Sequence, residues 1–186
     1  MVFNLPNTLT SFRILAVPLV VVMFYAPFEW ARPATGLLFA LAGFTDWLDG
    51  YLARRFNQMS NFGAFLDPVA DKLIVSTTLV ILVQSDPTLL ITLIAAVIIG
   101  REITVSALRE WMSELGARAR VSVSFFAKWK TTLQMFGIGF MLYEQSFYTV
   151  PIYDIGVVLL IIASVLTLWS MLDYLKAAWP IMKGQS

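Results

Sequence analysis

Asp46 and Asp49 stand three residues apart, Asp67 and Asp71 stand four apart, and all four fall within 26 residues of sequence. On helices, either spacing puts two carboxylates on one face, one turn above the other. Only eight residues separate Arg54 from Gly63. The two helices that carry the pairs are therefore expected to be antiparallel neighbours, with the four acids converging. Acids packed together repel one another, and a divalent cation with hard oxygen ligands relieves that cost. The sequence has no His and no Cys, which excludes imidazole and thiolate ligands, His-based triads and thiol nucleophiles. An all-oxygen site suits Mg²⁺ or Mn²⁺. Two such ions about 3.5–4 Å apart would clamp the attacking and leaving oxygens of a phosphoryl transfer. Gly50, Ala53 and Gly63 leave room for a ligand against helix backbone, and Arg54 and Arg55 can meet phosphate oxygens. A lone Asp near a helix end is usually a cap or a snorkelling partner, and a lone Gly in a membrane helix is usually a packing site. A set of four acids and three small residues in one window is not explained that way.

The rest of the chain must hold this window in a membrane. Of 186 residues, 59% are hydrophobic and 13% charged, against about 45–50% apolar and about 25% charged in soluble domains. Disordered, collagen-like and soluble nucleic-acid-binding classes are excluded, and a net charge of +1 favours no nucleic-acid partner. Apolar segments run over Leu9–Tyr25, Ala34–Leu52, Phe62–Val83, Leu89–Trp111, Val123–Tyr143 and Ile152–Leu175, each near the roughly 20 residues that cross a bilayer. Helices are expected to open just after Pro33, Pro87 and Pro151, with Asn7 capping the first. Of the 13 basic residues, all but Arg32 fall at one end of such a bundle. The positive-inside rule then puts that end, and both termini, in the cytoplasm. The expected fold is an all-α integral membrane protein with six transmembrane helices and a single domain over residues 1–186. The first segment reads as a span, because Arg13 is the only early charge and Pro18 interrupts the run.

The full pattern, Asp46-x2-Asp49-Gly50-x2-Ala53-Arg54-x8-Gly63-x3-Asp67-x3-Asp71, resembles the signature of the CDP-alcohol phosphatidyltransferase family. Further stretches extend the resemblance over most of the chain. Pro6-Asn7-x-Leu9-Thr10-x2-Arg13, Leu66 to Lys72, Arg101-Glu102, Leu108-Arg109-Glu110 and Lys128-x-Lys130-Thr131 are similar to bacterial members that use glycerol 3-phosphate. The resemblance implies transfer of a phosphatidyl group from CDP-diacylglycerol to glycerol 3-phosphate, with CMP released. It also implies six membrane helices, usually as a homodimer, in the bacterial cytoplasmic membrane with the site facing the cytoplasm.

By resemblance, Asp46, Asp49, Asp67 and Asp71 would form the metal shell, and Asp71 would act as general base on the acceptor hydroxyl. Gly50, Ala53, Arg54 and Ser60 match positions used for the CDP part. Arg13 either faces the nucleotide or lipid phosphate or anchors the first helix. Arg101, Lys128 and Lys130 are similar to the anion site of glycerophosphate-using members. The bland reading of Arg101 is an ion pair with Glu102, and that of the lysines is positive-inside decoration. Arg109, Arg118 and Arg120 are read mainly as topology or anionic-lipid contacts.

Serine, inositol phosphate or phosphatidylglycerol could replace the acceptor while the acidic signature stays the same. A divalent-cation transporter is the rival from another class, since buried carboxylates also mark ion pathways. Transport sites lie near the bilayer midplane in helices broken in matching halves. Here Asp46 is expected about 20 Å along its helix at 1.5 Å per residue, and the two halves show no matching acidic segments. A lipid-organising structural protein is a third class, separable because it would not need Asp71.

Overall fold

The structure, a computed structural model, describes residues 5–56, 61–114, 125–146 and 148–183. Side chains are described there except at 5–9, 47, 49–56, 61–65, 125–128, 177 and 180–183. The described residues form six helices: α1 (Leu5–Phe24), α2 (Ala31–Phe56), α3 (Asn61–Ser85), α4 (Leu89–Glu114), α5 (Phe125–Tyr143) and α6 (Ile152–Lys183). α1 packs on α2 and α3, α2 on α5, α5 on α6, and α4 on α3 and α6. Antiparallel succession brings the start of α1, the end of α2 and the start of α3 to one end of the bundle.

The core is a column of aliphatic and aromatic side chains. Val20 and Phe24 meet Phe39 and Ala42, Leu79 and Leu82, Ile94 and Ile98, Ile138 and Met141, and Leu160 in one buried cluster. Buried hydroxyls turn back on their own helices: Thr35 donates to the Ala31 carbonyl at 2.8 Å and Thr78 to that of Ile74 at 2.8 Å. This satisfies a polar group without a partner helix. One close seam joins α5 and α6, where a Cβ on Gly156 would lie 2.8 Å from the Gly137 carbonyl oxygen.

Several local expectations are corrected. α1 begins at Leu5, so Asn7 lies inside the helix rather than capping it. α2 begins at Ala31 and takes Pro33 into its first turn, where a missing N–H costs nothing. α4 opens at Leu89 behind Thr88, whose Oγ1 accepts from the Ile91 amide at 3.4 Å, an N-cap geometry. α6 does open directly after Pro151. α5 ends where Glu144 adopts a left-handed φ of 62° and its amide closes on the Phe140 carbonyl at 3.0 Å.

At the end away from the aspartates, polar side chains tie the helices together. Arg32 pairs with Glu144, donates to Ser85 at 3.2 Å and lies 3.8 Å over the Phe24 ring. Tyr153 donates to Asp86 at 2.6 Å. The outer surface is unusually apolar: Leu15, Leu37, Val80, Leu93, Phe136 and Trp169 are all more than half exposed. Among the described residues, two helices are long and apolar enough to cross a membrane, Leu89–Glu114 and Ile152–Lys176. Thr10–Phe24 is a shorter apolar helix.

Candidate active site

Two helical pairings build the acidic end. Asp46 comes from the second half of α2, and Asp67 and Asp71 come from the first half of α3. Pro68 sits between the α3 acids and removes one backbone donor from the early helix. α1 supplies the groups that hold these acids. Thr10 donates to Asp67 Oδ1 at 2.6 Å. Arg13, only 1% exposed, places one guanidinium nitrogen 2.6 Å from Asp71 Oδ1 and 2.8 Å from Asp46 Oδ1. The start of α1 thus clasps both acidic helices by charge-assisted hydrogen bonds.

Asp46 and Asp71 open into a cavity of about 380 Å³ walled by α1, α2, α3, α4 and α5. The lining also carries cations, Arg101 and Arg109 from α4, Lys130 from α5 and Lys72 from α3, with Glu102 beside Arg101. Arg101 is buried and paired with Glu102, yet its buried Nε has no hydrogen-bond partner among the described residues. Lys130 is 4% exposed, and its ammonium reaches the Ser170 hydroxyl only at 3.5 Å. Burying a cation this poorly satisfied is costly, and an anion delivered to the cavity relieves that cost. The site is therefore bipolar, gathering carboxylates of α2 and α3 and under-satisfied cations of α4 and α5 on one lining.

The sequence-predicted residues divide as follows. Asp46, Asp71, Arg13, Arg101 and Lys130 come together on this cavity. Asp67 is bound by Thr10 instead and is not part of the cavity wall. Asp49, Gly50, Ala53 and Arg54 lie on α2 and Lys128 lies on α5, but their side chains are outside those described. Ser60 lies outside the described residues altogether. Among the described residues, no three carboxylates gather closely enough to hold an ion by themselves. The donors present are all oxygens, which fits a hard divalent cation.

Sequence reasoning missed four contributors. Arg109, read as topology, lines the cavity and donates to the Tyr174 hydroxyl at 2.6 Å. Gln134 and Thr131 also line it. Gln134 stands one turn beyond Lys130, and that i+4 spacing could have revealed it. Thr10 and Thr131 stand out in the sequence only as members of motifs. The ion pair of Arg101 with Glu102 is present, and it accompanies the cavity-facing role rather than replacing it.

A second, larger cavity of about 810 Å³ runs between α2 and α5, walled by apolar residues such as Leu37, Ala40, Phe44, Phe136 and Phe140. The two cavities share Gly43, Thr131 and Met135. A polar chamber thus adjoins a greasy groove, a shape suited to a molecule with a charged head and an apolar tail.

Residues 3–169 match the family described as CDP-alcohol phosphatidyltransferase. The chain is 49% identical over 178 residues, 96% of either chain, to the CDP-diacylglycerol–glycerol-3-phosphate 3-phosphatidyltransferase of Salmonella typhimurium. The protein of that name from Haemophilus influenzae is 49% identical over 96% of this chain and 95% of its own. That from Pseudomonas fluorescens is 52% identical over 97% of this chain and 92% of its own.

Proposed function

The chain belongs to the CDP-alcohol phosphatidyltransferase family, and we propose that it transfers the phosphatidyl group of CDP-diacylglycerol to glycerol 3-phosphate. The products are phosphatidylglycerophosphate and CMP. The observation that carries this reading is the bipolar cavity, whose lining joins Asp46 and Asp71 with the buried cations Arg101 and Lys130. A reaction between two phosphate-bearing substrates needs both kinds of group. The names of the near full-length relatives supply the acceptor.

In this mechanism the acceptor phosphate docks on Arg101 and Lys130, with Arg109 at the rim. That leaves its free primary hydroxyl, the one at the end away from the phosphate, to point toward Asp71. The hydroxyl oxygen attacks the phosphorus that carries diacylglycerol, its proton passes to the Asp71 carboxylate, and the bond from phosphorus to the bridging oxygen of CMP breaks. Arg13, hydrogen-bonded to Asp71, fixes the direction in which that carboxylate accepts the proton. With no His in the chain, a carboxylate is the proton acceptor available. Asp46 and Asp71, with Asp49 and Asp67 from the same two helices, would hold Mg²⁺ or Mn²⁺, two ions being the number that suits phosphoryl transfer. Such ions supply charge neutralisation on phosphoryl oxygens.

The groove between α2 and α5 takes an acyl chain of the lipid substrate, since its walls are apolar and it meets the polar cavity at Gly43. The exposed apolar belt on all six helices supports a multi-pass membrane protein. The basic residues gathered at the site's end support a cytoplasmic active site and cytoplasmic termini.

The test is CMP release by purified protein from CDP-diacylglycerol with glycerol 3-phosphate, serine, inositol phosphate or phosphatidylglycerol as acceptor. The expected result is turnover with glycerol 3-phosphate, lost by about 10²- to 10⁴-fold in Asp71→Asn as for removal of a general base. Faster turnover with another acceptor overturns the acceptor assignment. Movement of Mn²⁺ into liposomes without any CMP release favours the transporter instead.

A further inference from the structure

Arg13 is the most buried charged side chain of the site, and it arrives from a different helix than either of its acids. One of its nitrogens lies 2.8 Å from Asp46 Oδ1 and 2.6 Å from Asp71 Oδ1. A guanidinium does not deprotonate in proteins, so this positive charge is permanent. The oxygens that would ligate a divalent cation are therefore the same oxygens that a fixed protein cation engages. Two cations drawn to the same carboxylate oxygens in a partly buried site repel each other.

We propose that Arg13 is a positioning residue with two linked effects: it holds Asp46 and Asp71 in register across the α2–α3 seam, and it competes with the divalent cation for them. The consequence is a site assembled before any ion arrives, with an ion affinity held lower than its carboxylates alone would give. This rests on the reading of Asp46 and Asp71 as ion ligands. It differs from a role in which Arg13 binds only substrate phosphate, and from one in which it only anchors α1. A pure anchor would, on removal, loosen the carboxylates and weaken ion binding. A pure substrate contact would leave ion binding unchanged.

The experiment measures Mn²⁺ binding in the absence of substrate, by the electron paramagnetic resonance signal of free Mn²⁺. It uses purified wild type, Arg13→Gln and Arg13→Lys, each also melted in EDTA and in Mn²⁺. Arg13→Gln is expected to bind Mn²⁺ about tenfold more tightly than wild type, to melt several degrees lower in EDTA, and to regain that loss in Mn²⁺. Arg13→Lys keeps the charge but puts a compact ammonium on a different stem in place of the planar guanidinium whose one nitrogen meets both carboxylates. It is expected to melt close to wild type and to bind Mn²⁺ more tightly by a smaller factor, which serves the test if the Gln variant does not fold. Unchanged or weaker Mn²⁺ binding in both variants overturns the competition, whatever the melting shows. If wild type binds no Mn²⁺ at the site, and Asp46→Asn and Asp71→Asn change nothing, the ion-ligand reading fails and this proposal falls with it.

Discussion

Arg101 illustrates how one side chain serves two partners at this site. Glu102, its neighbour in sequence, takes one guanidinium nitrogen, which lowers the cost of burying the charge, while Nε stays without a hydrogen-bond partner among the described residues. A hydrogen bond to a charged group contributes about 1.5–3 kcal/mol. Arg101→Gln is therefore expected to lower kcat/KM for glycerol 3-phosphate by about 10- to 100-fold, mainly through KM, with the KM for CDP-diacylglycerol little changed. Steady-state kinetics with each substrate varied in turn checks this, and a shift confined to CDP-diacylglycerol would reassign Arg101 to the nucleotide side. At this scale the sequence was legible where the chemistry is local. Arg101 with Glu102 could be read as an ion pair, whereas of the acid pairs only Asp46 and Asp71 share the cavity, Asp67 being bound by Thr10 and the Asp49 side chain lying outside those described. The clasp of Arg13 on Asp71 could not be read, because the two are 58 residues apart and nothing in either neighbourhood marks the other. Arg109 was undervalued for the same reason, since its partner Tyr174 lies 65 residues away.

The gap between α2 and α5 is set by two glycines with opposite demands. At Gly36 a Cβ would stand 2.9 Å from the backbone nitrogen and Cα of Tyr143, atoms that cannot move without shifting the end of α5. At Gly43 the same atom would meet only the terminal methyl of Met135, at 2.7 Å, and methionine is a flexible side chain. Gly36→Ala is thus expected to destabilise the protein by about 1–3 kcal/mol as an overpacked contact, and Gly43→Ala by clearly less. Thermal unfolding of the two variants side by side provides the comparison, and equal losses would mean that the two helices adjust along their whole length. Nothing in the sequence singled out Gly36, since the closeness of two backbones depends on how the helices cross. The helices themselves were legible as apolar runs, but their ends at the site were drawn short. α2 continues through Arg54 and Arg55 to Phe56, and α6 continues to Lys183. Hydropathy ends where charge begins, whereas Leu, Ala, Arg and Lys all favour helix, so the backbone carries on past the greasy part.

Across the whole molecule, charge and greasiness are sorted along the bundle axis. The acids of the site and, among the described residues, its buried cations gather at the end where α1 starts, while Arg32, Glu144 and Asp86 close the other. Between them runs the belt of exposed Leu, Val, Phe and Trp side chains. The charge asymmetry was readable from residue order alone, because the positive-inside rule needs only the spans and the positions of Lys and Arg. Which groups from that end share one chamber was not, because that depends on helix packing. The orientation can be tested directly, because the chain has no cysteine to interfere. Tyr148, in the connection between α5 and α6, is 92% exposed, and Lys176 is exposed near the far end of α6. In spheroplasts treated with a membrane-impermeant maleimide, Tyr148→Cys is expected to label at once and Lys176→Cys only after permeabilisation. CMP-forming activity of each variant would confirm that the labelled proteins are folded. The reverse labelling pattern would put the bipolar cavity on the outer face, away from a cytoplasmic supply of glycerol 3-phosphate, and would overturn the proposed placement of the reaction.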